Sequence, residues 1–286
     1  MTFLKSIRIR KTVLSQKSNS VPVSVVIPCF CCSKTIVRAV TSITKQTQKP
    51  AEVILVDDAS CDGTGETLQQ LAQAYPGWVK VLTLDQNQGA ANARNAGWEI
   101  VSQPYIAFLD SDDAWHPEKI EIQYAYMAAH PEIVLCGHGH RLLENESELP
   151  SWEVSQGDAQ SIHKWALLLS NRFVTPSVMI RSDIGQRFSE KQRYMEDHML
   201  WMKIICSGAA VVRLPGELAA IYKRPYGIMG LSAQTWSMER GDLGNYRRLY
   251  HANCINGYQL GVMGIYSLLK YVRRLAIYWG YLRWIR

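Results

Sequence analysis

Five short apolar runs, at residues 23–28, 52–56, 79–84, 105–109 and 133–136, alternate along the chain with stretches that carry helical signals. The runs are dominated by valine, isoleucine and leucine with no polar alternation, the pattern of strands buried on both faces. Ser33 stands as the N-cap of a predicted helix over 34–47, which Pro50 ends. Asp62-Gly63-Thr64 opens a second helix to about residue 75, and Pro76-Gly77 is a turn. Residues 89–101 read as an alanine-rich helix, and 117–130 as a fourth with Pro117 in its first turn. Strands alternating with helices through short connections predict an α/β fold, a mostly parallel sheet covered on both faces. In such sheets ligands sit outside the carboxyl ends of the strands.

Three of the runs stop there on notable residues: Pro28-Cys29, Asp57-Asp58 and Asp110-Ser111-Asp112-Asp113. Acidic side chains crowded at the tip of a buried strand repel one another and are costly to keep ionised unless a cation lies between them. Magnesium and manganese take oxygen ligands, usually one or two carboxylates plus a substrate diphosphate. That chemistry suggests transfer from a nucleotide diphosphate. The competing explanation is a solvated acidic turn capping the next helix, since Asp113 stands just before Trp115-His116-Pro117-Glu118. The coincidence of all three clusters at strand ends favours a site.

Composition narrows the partners less. The chain has 286 residues, 47% of them hydrophobic and 20% charged, enough for one large domain or a domain with an appended tail. A formal net charge of +6 is compatible with an anionic substrate, an anionic membrane or a nucleic acid, and no nucleic-acid motif accompanies it. The seven cysteines read as reduced, buried thiols of a cytosolic protein. Cys29, Cys31 and Cys32 lack the paired Cys-x-x-Cys or His spacing of a zinc site. Residues 1–20 are basic without an apolar core, so they do not read as a secretory signal. No uncharged apolar stretch is long enough to span a bilayer. Asn145-Glu146-Ser147 is then a chance match to a glycosylation sequon. Downstream, helices are expected over 163–169 and 194–207, and strands within 172–181 and 210–222. After Asp242 there is no acidic residue, while Arg247, Arg248, Lys270, Arg273, Arg274, Arg283 and Arg286 lie among Tyr271, Tyr278, Trp279, Tyr281 and Trp284.

Val-Ser-Val-Val-Ile-Pro (23–28), Glu-Val-Ile-Leu-Val-Asp-Asp-Ala-Ser-Cys-Asp-Gly-Thr (52–64), Asn-Gln-Gly-Ala-Ala-Asn-Ala-Arg-Asn-Ala-Gly (87–97) and Phe-Leu-Asp-Ser-Asp-Asp (108–113) resemble, in order and spacing, family 2 glycosyltransferases with the GT-A fold. The likeness runs from about residue 21 to about 222. It implies a Rossmann-like, mostly parallel sheet flanked by helices. The expected organisation is a catalytic domain at 21–240, with a nucleotide-binding half (21–137) and an acceptor half (138–240), preceded by the basic arm at 1–20 and followed by a tail at 241–286 that its composition marks as basic, amphipathic and helical.

The resemblance further implies that Asp58 accepts the ring N–H of uracil, that Asp57 orients the same loop, and that Pro28 lines the base pocket. Arg94 lies near the nucleotide and the acidic loop. Asp110, Ser111 and Asp112 hold the nucleotide sugar, with Asp112 meeting a Mn2+ or Mg2+ ion directly and Asp110 binding ribose or the metal through water. Tyr194-Met195-Glu196-Asp197-His198 resembles the family's second acidic motif, with Asp197 as general base and Glu196 as its fallback. The alternative for both is a favourable charge at a helix N-terminus.

Two departures from the family pattern stand out. The histidine that many relatives carry after the pair corresponding to Tyr222-Lys223 is missing, leaving Lys223 or Arg224 to contact diphosphate. The Gln-x-x-Arg-Trp motif of processive synthases is also missing, which argues for addition of a single sugar. His138 and His140 lack carboxylate partners and read as bystanders. The expected reaction is inverting, metal-dependent transfer of a hexose or N-acetylhexosamine from a UDP-sugar to a saccharide acceptor. A lipid-linked acceptor is expected from the tail over 258–286, read as lying in an anionic membrane interface on the cytoplasmic face. The alternatives are an inactive nucleotide- or glycan-binding scaffold and a nucleotidyltransferase.

Overall fold

The structure, a computed structural model, describes residues 20–144, 149–190, 192–222 and 235–285, with side chains described up to 274 and not at 235. The basic arm, the sequon at 145–147, Lys223, Arg224, Arg286 and the side chains of Tyr278, Trp279, Tyr281, Arg283 and Trp284 lie outside the described residues.

The apolar runs form the centre of a nine-stranded sheet. Its strands are β1 (Ser20–Cys29), β2 (Lys49–Asp57), β3 (Val79–Thr83), β4 (Tyr105–Phe108), β5 (Ala114–Trp115), β6 (Ile133–Leu142), β7 (Gln160–Ser161), β8 (Met179–Arg181) and β9 (Ala210–Ile221). The order is β3-β2-β1-β4-β8-β6-β9-β5, with β7 paired to β9. β1–β4, β6 and β9 all point one way, because β8 runs antiparallel to both β4 and β6. The sheet is therefore mostly parallel, as expected, with the reversed strand β8 joining its two halves and the two-residue strands β5 and β7 also antiparallel to β9.

The helices are α1 (Ile36–Thr44), α2 (Thr64–Ala74), α3 (Ala90–Glu99), α4 (Lys119–Ala129), α5 (Lys164–Leu169), α6 (Glu196–Cys206), α7 (Thr235–His251) and α8 (Gly257–Ile285). Two apolar cores, one on each face of the sheet, hold these layers together; Val25, Ile27 and Leu55 point into one, and Val26, Ile54 and Val56 into the other. That split is the period-2 alternation of a strand covered on both sides. α3 packs so closely on β1 that a Cβ at Gly97 would lie 2.5 Å from Val26 Cγ1.

Several local expectations change. Ser33 does not cap α1: its hydroxyl donates to Asp62 Oδ2 at 3.0 Å, tying the first two strand-end loops together. Pro50 lies inside β2, and Pro117 precedes α4. Asp113 does not cap α4, because β5 intervenes and pairs with Ala219 and Ala220 of β9. The expected boundaries at 137 and 240 fall inside β6 and α7. Cys206 and Cys254 are joined by a disulfide, so the reading of all seven cysteines as reduced thiols is corrected for this pair. A separation of 48 residues hides that proximity in the sequence. Cys31 and Cys61 are exposed, while Cys29, Cys32 and Cys136 are buried free thiols.

The tail also departs from a basic face turned outward. Lys270 Nζ lies 3.6 Å from Asp242 and Arg274 Nη2 lies 3.4 Å from Glu239, both acids being on α7. Ser267 donates to Glu239 at 2.6 Å. Glu239 and Asp242 are buried, and Lys270 and Arg274 of α8 compensate them, while Arg273 is exposed. Among the described residues of α8, the apolar side chains Tyr258, Val262, Ile265, Leu269 and Val272 are exposed, together with Arg273. Among the described residues, no helix is long and apolar enough to cross a membrane.

Candidate active site

The carboxyl ends of β1, β2 and β4 converge with the N-terminus of α6. After β1, Cys29 carries its carbonyl to the amide of Asp58 at 2.8 Å, so the first two strand-end loops lie side by side. Pro28 is buried in β1 opposite Val56. Phe30, next along, is half exposed at the mouth of this loop pair. Asp57 closes a turn by accepting from Ser60 N at 3.0 Å. Asp58 is buried and fastens the start of α3, its Oδ1 accepting from Gln88 N at 2.8 Å and its Oδ2 from Gly89 N at 2.7 Å. Gly89 has φ +88°, a conformation that glycine adopts without a Cβ penalty. The structural duty of Asp58 is thus at α3 and not at α2, and each oxygen keeps a lone-pair direction for one further donor.

Arg94 of α3 ties the acidic loop to the second half. Its buried guanidinium donates to Asp110 Oδ1 at 2.7 Å and to Glu196 Oε1 at 3.2 Å. Burial works against this charge, and the two carboxylates outweigh it, holding Arg94 firmly protonated. The Phe188 ring lies 5.3 Å from the guanidinium carbon. Glu196 and Asp197 begin α6, where the helix dipole favours negative charge. Burial nevertheless pushes both carboxyls above the ordinary range; Arg94 opposes this for Glu196, and His198, Arg94 and Asn171 oppose it for Asp197. Asn171 Nδ2 donates to Asp197 Oδ2 at 3.1 Å, and Asp197 Oδ1 accepts from His198 N at 2.7 Å.

Asp110, Asp112 and Asp113 can each offer an oxygen within 4.8 Å of the others, Asp113 being buried. An all-oxygen donor set of this kind fits magnesium or manganese better than a softer metal. Asp110 shares its charge with Arg94. Ser111 turns to the Cys32 thiol, which is held below its ordinary pKa chiefly by hydrogen bonding with Cys29, with Ser111 and Thr64 adding to the effect against burial.

Residue-type reasoning missed Asp113 as a third acid, Arg38, Asn171 and Phe30. Arg38 donates to the Asp112 carbonyl at 2.5 Å while lying 3.8 Å above the Tyr222 ring. Only Asp113 carried a signal, the third acid in one run. Backbone strain marks the same region: Cys31, Ala59 and Met195 have φ of +48°, +57° and +59° without being glycine. Such residues concentrate where a site must be held in one shape.

A family model described as glycosyl transferase family 2 matches residues 24–188. The chain belongs to glycosyl transferase family 2. This family 2 chain is 32% identical over 196 residues to the amylovoran biosynthesis glycosyltransferase AmsE of Erwinia amylovora, covering 64% of this chain and 69% of that one. It is 29% identical over 183 residues to the UDP-Glc:alpha-D-GlcNAc-diphosphoundecaprenol beta-1,3-glucosyltransferase WfgD of Escherichia coli, again covering 64% and 69%. Its fold matches the mannosyltransferase PcManGT of Pyrobaculum calidifontis, solved in complex with GDP-Man and Mn2+, with TM-score 0.64 and 15% identity over 90% of this chain and 74% of that one. The enzyme is therefore a glycosyltransferase of the GT-A fold, and the expected family and fold both hold.

Proposed function

We propose that this glycosyltransferase moves one hexose or N-acetylhexosamine from a UDP-sugar to a saccharide acceptor on a lipid carrier, with inversion and in a metal-dependent, non-processive reaction. The observation that carries the reading is the ion-paired bridge Asp110–Arg94–Glu196, which ties the acidic loop to the start of the helix that bears Asp197. Uracil would enter beside Pro28 and stack on Phe30, its ring N–H meeting a remaining lone pair of Asp58, with Asp57 holding the turn. Asp112 and Asp113, with Asp110 in support, would hold Mn2+ or Mg2+, which when bound neutralises the departing diphosphate. Ser111 keeps the loop in register through Cys32. Arg38 fixes the Asp112 main chain, so the carboxylates keep their spacing when the donor leaves. Asp197 removes the proton of the attacking hydroxyl, and its raised pKa makes it a stronger base than a solvated aspartate. Asn171 orients it.

Direct attack by the acceptor needs no enzyme nucleophile and inverts the anomeric centre. The name of the Escherichia coli relative, which pairs UDP-Glc with a diphosphoundecaprenol-linked sugar, supports both donor and acceptor class. The outward apolar stripe of α8 supports peripheral contact with a membrane on its cytoplasmic side, where such carriers are loaded. In a reducing compartment Cys206 and Cys254 would stand as partly buried, neighbouring thiols.

The test is a UDP-sugar panel with manganese. Turnover or slow hydrolysis of one donor is expected, lost in Asp112→Ala. Asp197→Asn should lower transfer by about 10²–10⁴-fold while UDP binds as before. Transfer at the wild-type rate by Asp197→Asn would overturn the assignment.

A further inference from the structure

A cavity of about 320 Å³ is lined by His138 and His140 of β6, Arg213 of β9 and the segment Ser170–Val174 after α5. Its volume falls at the lower end of ordinary ligand sites. Asn171 belongs to its wall and also donates to Asp197 at 3.1 Å, so the cavity and the proposed base share one side chain.

The charge of this wall is one-sided. Arg172, Arg213 and two histidines face the cavity, and its described lining holds no carboxylate. The nearest acid on β9, Glu217, is already paired with Arg141. Among the described residues Arg213 Nε is buried with no hydrogen-bond partner, and so is His138 Nε2. His138 is 1% exposed, and its Nδ1 is committed to the Gly139 carbonyl at 2.7 Å. A buried polar atom left unmet is destabilising, a cost that a ligand in the cavity removes. Both imidazoles are held below their ordinary pKa by burial first; Lys119 and Arg213 add to this for His138, and Arg213 for His140 against the pull of Glu217. The positive charge of the wall is thus carried by Arg172 and Arg213, and the one acid that acts on its histidines, Glu217, is shared with Arg141.

We propose that this cavity seats the anionic linkage of the acceptor, a phosphate or diphosphate ester that joins its first sugar to the lipid. The inference rests on the reading of Asp197 as base and extends it. The two guanidiniums grip the phosphate oxygens, and the sugar next to the phosphate reaches past Asn171 to present its hydroxyl to Asp197. The donor diphosphate stays at the acidic loop, so the two anions occupy separate places.

The experiment uses the full chain saturated with UDP, its histidines labelled with 15N. Geranyl diphosphate, inorganic pyrophosphate and octyl glucoside are titrated in turn. Both diphosphates are expected to move the ring signals of His138 and His140, and octyl glucoside to leave them in place. Arg213→Gln and the exposed loop variant Arg172→Gln should each weaken diphosphate binding ten-fold or more, with UDP affinity unchanged. Tighter binding of geranyl diphosphate than of pyrophosphate identifies the lipid-linked ester as the preferred source, and equal binding identifies the phosphate group as the element recognised. Immobile histidine signals, unaltered affinity in both variants, or displacement of UDP by the diphosphates would overturn the proposal. Failure of UDP itself to bind would sink the donor assignment and leave the histidine response as a separate result.

Discussion

Asp197 can accept a proton only while ionised, and its carboxyl is pushed up by burial against the pull of His198, Arg94 and Asn171. Activity should therefore fall with decreasing pH through a value above the ordinary aspartate range of about 3.9. Removing a group that lowers the pKa moves that limb further up: Asn171→Ala is expected to shift the acid limb of kcat/KM to higher pH. Superimposable profiles of the two enzymes would show that Asn171 does not tune the base. Glu52 offers the opposite sign, far from the cleft. Burial raises its pKa, but Lys80, Ser24 and Ser102 outweigh burial and bring it down to about 2. Four contacts of 2.6–2.9 Å hold this carboxylate at the start of the sheet. A lowered acid contributes stability that is fully present above about 4.5 and fades as pH falls towards about 2. Glu52→Gln should cost about 1–3 kcal/mol at pH 7, read by urea unfolding, and the gap from wild type should narrow at pH 3. A gap independent of pH would mean packing, not charge, is what the substitution disturbs.

α3 is the element through which sheet and site are coupled, since its start is fixed by Asp58, its middle carries Arg94 and its end rests on β1 at Gly97. Gly97→Ala puts a methyl group 2.5 Å from Val26 Cγ1 and 3.0 Å from Val56 Cγ2, both in buried strands. It should lower stability by about 1–3 kcal/mol and loosen Arg94, lowering transfer as well. Gly185→Ala, which meets nothing within 4 Å, is the control and should be near neutral in a thermal melt. Equal melting points for the two variants would contradict the close packing. This part of the molecule was legible in the sequence because buried parallel strands write themselves as unbroken apolar runs, and β1–β4 fall where those runs stand. In the second half α5, α6, β8 and β9 fall within the expected stretches, but β7, like β5 before it, has two residues and is too short for a period. α7 is polar and carries Gly241 and Gly244, so nothing in its own text announces a helix. The acids of the site could be named from residue type and position. Arg38 and Asn171 could not, because their partners lie 74 and 26 residues away and only the folded sheet brings them together.

The α7–α8 hairpin links the outer surface to the catalytic turn. Asn245 donates to the Met195 carbonyl at 3.0 Å, and Asp242 lies 3.4 Å from His198, the residue after the proposed base. The same Asp242 meets Lys270 of α8 and Glu239 meets Arg274, so two of the cations expected to face anionic lipid neutralise α7 instead. The exposed side of α8 instead repeats apolar residues at 258, 262, 265, 269 and 272, a stripe with four- and three-residue steps along one helix face. Membrane contact built this way draws on apolar burial, about 1.5–3 kcal/mol for each large side chain removed from water, more than on charge. Charge attraction would fade within a Debye length that shrinks from about 10 Å at 0.1 M salt to about 3 Å at 1 M. Vesicle binding by the full chain should therefore survive most of a rise in salt, yet drop by more than ten-fold in Ile265→Asp/Leu269→Asp. Donor hydrolysis in solution should stay as in wild type, because neither side chain faces α7. Binding that salt abolishes while the double variant leaves it intact would return the basic residues to the interface and remove the apolar stripe from the argument.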